Sequence, residues 1–305
     1  MRRHNIVALL GVLFVVAGVI LIMGMPVTAQ DDADPETQQF LESFYEAWEG
    51  SGHADADAQA FVHWDDDGEI STRCARCHST PGYLDYLGED GSDFGTVDAA
   101  APLGTTVNCD ACHNDTATSL DTVEFPSGLS ITTEDNAARC MVCHQGRASG
   151  LTVENAIAEA GVPDMNTISE ELGFINQHYY AAAASLYGAE VNGGYHYEGK
   201  VYQLQNVHVP GFDTCTSCHN PHTLEIEIAS CTECHDVEDV EDLRDIRMQG
   251  SLVDFDGDGD TREGLAFEIE TMQELAWEAI QAYAVEVAGT PLGRGDGYPY
   301  FFIDT

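Results

Sequence analysis

All ten cysteines of this 305-residue chain fall in five copies of one pattern, C-x-x-C-H. This pattern is typical of covalent haem attachment, in which two thiols bond to the haem vinyl groups and the adjacent imidazole binds the iron as its proximal ligand. Because no cysteine is left over, the sequence predicts five covalently bound haem c groups. The attachment cysteines are Cys74, Cys77, Cys109, Cys112, Cys140, Cys143, Cys215, Cys218, Cys231 and Cys234, and the proximal histidines are His78, His113, His144, His219 and His235.

Three other uses of such cysteines fit the pattern less well. A zinc site normally needs two ligand pairs at finger-like spacing. Five small disulfide loops would account for the cysteines but not for the five histidines. A thioredoxin-like C-x-x-C would be expected once, at the start of a helix in a βαβ unit. The repeated unit therefore favours haem.

Histidines outside the repeated units are candidates for the second axial ligand of each iron. A low-potential electron carrier usually has two imidazoles at each iron, and methionine would raise the potential. The chain has twelve histidines, of which five are proximal and His4 lies in the N-terminal segment. Of the six that remain, His196 is set aside because it lies between two tyrosines of an expected strand pair. The predicted distal ligands are His53, His63, His178, His208 and His222.

Regular secondary structure should be sparse if haem groups fill much of the interior. The predicted fold class is mainly α with much irregular loop and few short strands, in a haem-packed architecture. Apolar spacing predicts helices within residues 36–50, 176–188 and 265–289, and Gly289 can end the last of them. A turn between two extended runs predicts a hairpin at 122–131, and alternating aromatic residues predict a strand pair at 193–204.

The N-terminus predicts export. It begins with MRRHN, continues with a long apolar run and reaches a small-residue cleavage site in PVTA. These features predict a signal peptide at residues 1–29, with an uncleaved membrane anchor as the alternative. Residues 30–250 would form a pentahaem cytochrome domain, and residues 251–305 an acidic loop with a C-terminal helical segment. The expected location is periplasmic, cell-surface or extracellular, with membrane attachment only if the segment stays uncleaved.

The charge of the chain limits its partners. The formal net charge is −42, from 53 acidic and 11 basic residues. Nucleic acid is excluded as a partner because phosphate binding needs a basic face. The expected partners are redox proteins with basic or cation-bridged surfaces, which complement an acidic carrier.

Two stretches of the chain resemble multihaem c-type cytochromes of respiratory and extracellular electron transfer. One is residues 48–80, which includes SGHA and CARCH, and the other is residues 176–235, which includes HYYAAAASLYG and CTSCHNPH. The resemblance implies distal-ligand roles for His53 and His222 in particular. Relatives appear to continue past the final YPYFFIDT, so the sequence is expected to be a truncated fragment.

The predicted function is electron transfer through closely spaced haem groups, each held by two histidines, outside the cytoplasm. The chain would belong to an extracellular respiratory chain or assemble with itself into a filament. The alternative is an oxidoreductase that acts on a small nitrogen or sulfur compound, such as nitrite or hydroxylamine, at an iron with an open site. No repeated unit has lysine in place of its histidine, and distal histidines are ample. Both points favour a carrier over an enzyme, and no catalytic residue is predicted.

An acidic segment near the C-terminus, DFDGDGDTREG, spaces its aspartates two residues apart. This alternation with glycines resembles a calcium loop with oxygen ligands on a tight turn. An EF-hand would have glutamate at loop position twelve, where this chain has Leu265. The alternative is an acidic turn that caps the next helix. The candidate calcium ligands are Asp254, Asp256, Asp258, Asp260 and Glu263.

Overall fold

The computed structural model describes residues 34–133, 135–248, 250–295 and 300–303. The chain divides into two compact units, Met1–Glu46 and Ala47–Thr305. The predicted signal peptide at residues 1–29 lies outside the described residues, and the predicted domain division at residue 250 stays a prediction. Within the described ranges, no helix is both long and apolar enough to cross a membrane.

Most elements are short helices joined by loops. The helices are α1 (Pro35–Glu49), α2 (Gln59–Val62), α3 (Thr72–His78), α4 (Thr80–Tyr86), α5 (Cys109–Cys112), α6 (Asp115–Ser119), α7 (Ala137–His144), α8 (Gly150–Glu159), α9 (Ala182–Tyr187), α10 (Cys215–Cys218), α11 (Ile228–Cys231) and α12 (Leu265–Glu286). Two 3₁₀ turns cover Gly188–Val191 and Glu241–Asp245.

The described strands form two small antiparallel sheets. Strand β1 (Thr122–Glu124) pairs with β2 (Ser130–Thr132), so that Val123 faces Ile131. Strand β3 (Leu292–Arg294) pairs with β4 (Phe301–Ile303). The described structure is therefore mainly helix and loop with few short strands, and this part of the predicted fold class is confirmed.

Each of the first four cysteine units lies on a helix of its own: α3, α5, α7 and α10. In the fifth unit, Cys231 ends α11 and Cys234 lies in the turn that follows. Ser79 shows how the chain turns after the first unit. Its hydroxyl donates to the Ala75 carbonyl at 3.0 Å and accepts from the Gly82 amide at 3.0 Å, so one side chain ends α3 and caps α4. A Cβ atom at position 82 would lie 2.4 Å from the Ala75 carbonyl carbon, so glycine permits this close packing.

Helix α7, which carries the third cysteine unit, lies at the centre of the main apolar core. Ala138, Met141 and Val142 are each at most 1% exposed. They belong to one cluster with side chains from α4, α5, β1 and α9, namely Tyr83, Ala111, Val123, Ala183 and Ala184. The third unit is therefore held more rigidly by packing than a unit on a surface loop would be.

The long C-terminal helix and the hairpin at 122–131 were predicted correctly. Helix α12 ends at Glu286, and Gly289 adopts a φ of +68°, a left-handed conformation that stops helices. The helix within 36–50 is also confirmed as α1.

Two predictions about regular structure were wrong. The segment 193–204 contains no strand; instead, the ring of His196 stacks on that of Tyr202, with centroids 4.4 Å apart. The helix expected within 176–188 covers only Ala182–Tyr187, so His178 lies on a loop before it. The alternating and helical patterns there reflect side chains that contact each other locally rather than one face of an element.

Candidate haem-binding sites

Four proximal histidines each lie opposite one of the predicted distal histidines. The ring centroids are 5.8 Å apart for His78 and His178, 6.1 Å for His113 and His222, 6.3 Å for His144 and His53, and 6.0 Å for His235 and His208. Metal–imidazole bonds are about 2 Å long and the ligating nitrogen lies about 1 Å from the ring centroid, so one metal ion between two trans imidazoles holds their centroids about 6 Å apart. The four pairs therefore have the spacing that a shared iron ion needs.

Three proximal histidines have the tautomer that metal binding requires. Their Nδ1–H groups donate to backbone carbonyls: His78 to Ala60 at 2.8 Å, His144 to Tyr180 at 3.1 Å, and His219 to Leu224 at 2.9 Å. Since Nδ1 holds the proton, Nε2 is free to coordinate iron, and the hydrogen bond fixes the orientation of the ring.

Burial keeps the axial histidines neutral. It lowers the pKa of His53 to about 4, and the proximity of His144 lowers it further. Burial also lowers the pKa values of His78 and His178. Because a neutral imidazole is the form that binds a metal, these rings are prepared for coordination near neutral pH.

A single turn in the CTSCHNPH motif positions both His219 and His222. The side chain of Asn220 accepts hydrogen bonds from the amides of His222 and Thr223 at 2.9 and 3.1 Å. Leu224 adopts a φ of +64° and its amide bonds the Asn220 carbonyl at 2.8 Å. This turn presents the Leu224 carbonyl to His219 and directs His222 towards His113, a different unit.

His178 lies in a strained loop that serves two units. It adopts a φ of +96°, which a residue with a side chain rarely does, and the Asn176 side chain accepts from its amide at 2.8 Å. Two residues later, Tyr180 offers its carbonyl to His144. Such strain persists only where the surroundings enforce it, and it is common at functional sites.

The ring planes of the four pairs differ in their relative orientation. The planes of His113 and His222 differ by 9°, those of His53 and His144 by 32°, and those of His208 and His235 by 37°. The planes of His78 and His178 differ by 74°. Near-perpendicular axial rings leave two iron d orbitals close in energy, so the iron of the first unit should give the most anisotropic low-spin signal.

The fifth pair does not form. Among the described residues, no other histidine ring lies against His219, which is exposed. His63, the remaining predicted distal ligand, packs against Trp64 with centroids 4.9 Å apart, and Trp64 in turn contacts His78 at 4.9 Å. His63 therefore lies at the edge of the first unit.

All ten cysteines lie within the described residues and none forms a disulfide. Every thiol is therefore available for a thioether bond, as the haem prediction requires. Together with the four histidine pairs, these thiols fit covalently attached haem.

The acidic loop brings carboxylates together in two sets, Asp254–Asp256–Glu268 and Asp256–Asp258–Glu263. In each set the candidate ligand atoms lie within 4.8 Å of one another. The Oδ2 atom of Asp256 and the Oε1 atom of Glu263 are buried without a hydrogen-bond partner. Burial and four neighbouring carboxylates raise the pKa of Glu263, so negative charge is crowded here. This donor set suits a hard divalent cation.

Glu268 was missed in the sequence analysis. It is fully buried on the first turn of α12, where it pairs with Arg247 and accepts from the amides of Phe255 and Asp256 at 2.6 and 3.1 Å. The usable signal was an acidic residue one turn into the helix after the loop. Asp260 belongs to neither set of carboxylates; its side chain accepts from the Arg262 amide at 2.9 Å.

The chain is similar to c-type cytochromes that carry several haem groups. It is 26% identical over 209 residues to the C-type polyheme cytochrome OmcB of Geobacter sulfurreducens, which covers 54% of this chain and 26% of OmcB. It is also 26% identical over 216 residues to the C-type polyheme cytochrome OmcC of the same organism, which covers 55% of this chain and 26% of OmcC. The chain thus spans about a quarter of the length of these curated relatives. The similarity supports a multihaem c-type cytochrome.

No protein-family model matches the chain, and no solved structure matches it.

Proposed function

We propose that this chain is an electron-transfer protein that holds five haem c groups, at least four of them between two histidines. The observation that carries the proposal is the set of four histidine pairs, each joining one C-x-x-C-H histidine to a distant histidine at the spacing of a shared iron. The similarity to polyheme cytochromes supports the same class.

The residues of the chain hold and orient the haem, which supplies an iron that alternates between ferric and ferrous states when bound. The cysteines anchor the porphyrin edge. The backbone carbonyls of Ala60, Tyr180 and Leu224 orient the proximal rings through Nδ1. Two strong axial ligands leave no site for substrate, so a haem of this kind transfers electrons without substrate chemistry.

The chain acts outside the cytoplasm, in an extracellular respiratory chain. Haem c is attached outside the cytoplasm, and the apolar N-terminal segment is of the kind that directs export. The acidic surface, with a net charge of −42, suits redox partners whose surfaces are basic or bridged by cations.

The iron at His219 needs a sixth ligand from elsewhere, and self-assembly would supply one. His219 and His63 are both exposed, and in the described residues neither lies against a histidine of the predicted complementary kind. A contact between two such different surfaces on successive copies does not close, and it would build a filament. Light scattering across protein and salt concentrations tests this proposal, and a monodisperse monomer throughout would contradict it.

The same observation favours a second candidate function at this unit. An iron at His219 with an open position would let the protein reduce or oxidise a small nitrogen or sulfur compound. Adding nitrite or hydroxylamine to the ferric protein should then shift the haem absorption spectrum, and replacing His219 with alanine should abolish the shift. An unchanged spectrum would exclude this candidate.

Haem content tests the main proposal. The pyridine haemochrome assay and intact-protein mass spectrometry should give five haem groups per chain. The double variant Cys109→Ala/Cys112→Ala should lose one haem, whereas Ser217→Ala, a change between two attachment cysteines, should keep five. A protein that matures in a haem-attaching host without covalent haem would overturn the proposal.

A further inference from the structure

The contacts of helix α7 extend the proposed function, on which this inference rests. We infer that the haem of the third unit lies between the haem groups of the first and fourth units, so that electrons pass through it out of sequence order. The second haem would then lie beside this path as a branch. The inference rests on which cysteine units contact each other.

The first and third units are joined by reciprocal contacts of their second cysteines. The Cys143 thiol donates to the Arg76 carbonyl at 3.6 Å, and the Cys77 thiol donates to the Val142 carbonyl at 3.9 Å. The two sulfur atoms also lie within hydrogen-bonding distance of each other. Thioether formation removes the thiol protons but keeps the sulfur atoms where the two helices pack, so the two porphyrin edges that they hold are adjacent.

The loop from Asn176 to Tyr180 joins the same two units on their other sides. His178 faces His78 of the first unit, and the Tyr180 carbonyl holds the ring of His144 in the third. A short loop can reach both rings only if the two haem groups are neighbours. This contact is independent of the cysteine contacts.

The third and fourth units meet through their first cysteines. The side chains of Cys140 and Cys215 are within hydrogen-bonding distance, and helices α7 and α10 pack together. The two cysteines of one unit attach to two different pyrrole rings of one porphyrin. The third haem would therefore approach the first haem with one pyrrole edge and the fourth haem with another.

The second unit contacts α7 differently. The Arg139 guanidinium donates to the Cys112 carbonyl at 2.9 Å, which is a polar contact between a side chain and the backbone. Among the described residues, no cysteine of the second unit is hydrogen-bonded to a cysteine of the third. The second haem therefore flanks the third rather than preceding it on the path.

Removal of single haem groups tests this order. In the holoprotein, pulse radiolysis supplies one electron per molecule, and freeze-quench EPR follows the anisotropic signal expected for the His78–His178 iron. The double variant Cys140→Ala/Cys143→Ala should lose the fast phase that carries electrons between this iron and the fourth and fifth units. The matched variant Cys109→Ala/Cys112→Ala should retain it. Loss of the phase in the second variant alone would overturn the inference.

Iron positions in the wild-type holoprotein provide a test that needs no variant. Cryo-electron microscopy or crystallography should place the third iron as the nearest neighbour of the first iron, and place the fourth on the other side of the third. Five bound haem groups in strict sequence order would contradict the inference and leave the proposed function intact. A protein without haem would instead contradict the proposed function.

Discussion

At the scale of single residues, the axial histidines determine what each haem can do. The chain positions these rings with backbone carbonyls and turns rather than with other charged side chains. The Asn220 turn and the strained His178 loop are the clearest cases, since each fixes one ring while contributing to a second unit. A substitution at one ring should therefore change a single iron without unfolding the chain.

Replacing His222 with alanine should convert one haem from low spin to high spin. The ring of His222 lies 6.1 Å from that of His113, and without it the iron at His113 would lack its second strong ligand. The measurement is the absorption spectrum and low-temperature EPR spectrum of the ferric protein. His196→Ala is the control, since His196 stacks on Tyr202 and should leave every haem low spin. Identical spectra for both variants would show that His222 does not bind iron.

At the scale of secondary structure elements, α7 and the acidic loop carry the two clearest arguments. Helix α7 is both the most deeply packed cysteine unit and the one with contacts to three other units. The acidic loop gathers its carboxylates in front of α12, where Glu268 completes the set.

Replacing Met141 with alanine should lower the free energy of unfolding by about 2–5 kcal/mol, because the change leaves a cavity in the core. Met141 is 1% exposed and lies on α7 beside the third cysteine unit. Guanidinium chloride denaturation of the haem-loaded protein measures the effect. The control is Met165→Ala at a residue that is 79% exposed. That change should alter stability by no more than about 0.5 kcal/mol. Equal effects would contradict the central position of α7.

The calcium site stays a prediction, with Glu268 now added to the candidate ligands. Calcium at about 100 times its dissociation constant should stabilise the folded protein by about 2.7 kcal/mol. Thermal unfolding of the holoprotein in calcium and in chelator measures this difference. It should disappear in Asp256→Asn and persist in the control Asp66→Asn, an exposed aspartate in another acidic turn. A calcium effect of the same size in both variants would place the ion elsewhere.

The sequence predicted the chemistry of the sites better than their arrangement. The cysteine count gave the attachment residues, and counting histidines gave eight rings that the structure brings together in pairs. Periodicity failed at His178, because an Asn176 turn holds it in a backbone conformation that no helix has. The order of the units in space depends on which helices pack against α7, and spacing along the chain carries no information about that.

At the scale of the whole molecule, charge should control encounters with partners. The net charge of −42 attracts basic proteins over long distances at low ionic strength. Electron transfer to a basic cytochrome c should therefore slow as salt rises, since the screening length shortens from about 10 Å at 0.1 M to about 3 Å at 1 M. Stopped-flow mixing measures this rate. Transfer to a neutral mediator is the control, and equal salt dependence for both would contradict electrostatic docking.

The most direct test of the account is low-temperature EPR of the purified ferric protein, with spins counted against the haem content. Four irons should be low spin, since four histidine pairs have the spacing of a shared metal. One of these signals should be far more anisotropic than the rest, from the pair whose rings differ by 74°. The iron at His219 should be high spin in an isolated chain and low spin in an assembly that supplies a ligand. Mostly high-spin iron in the other four units would contradict the account.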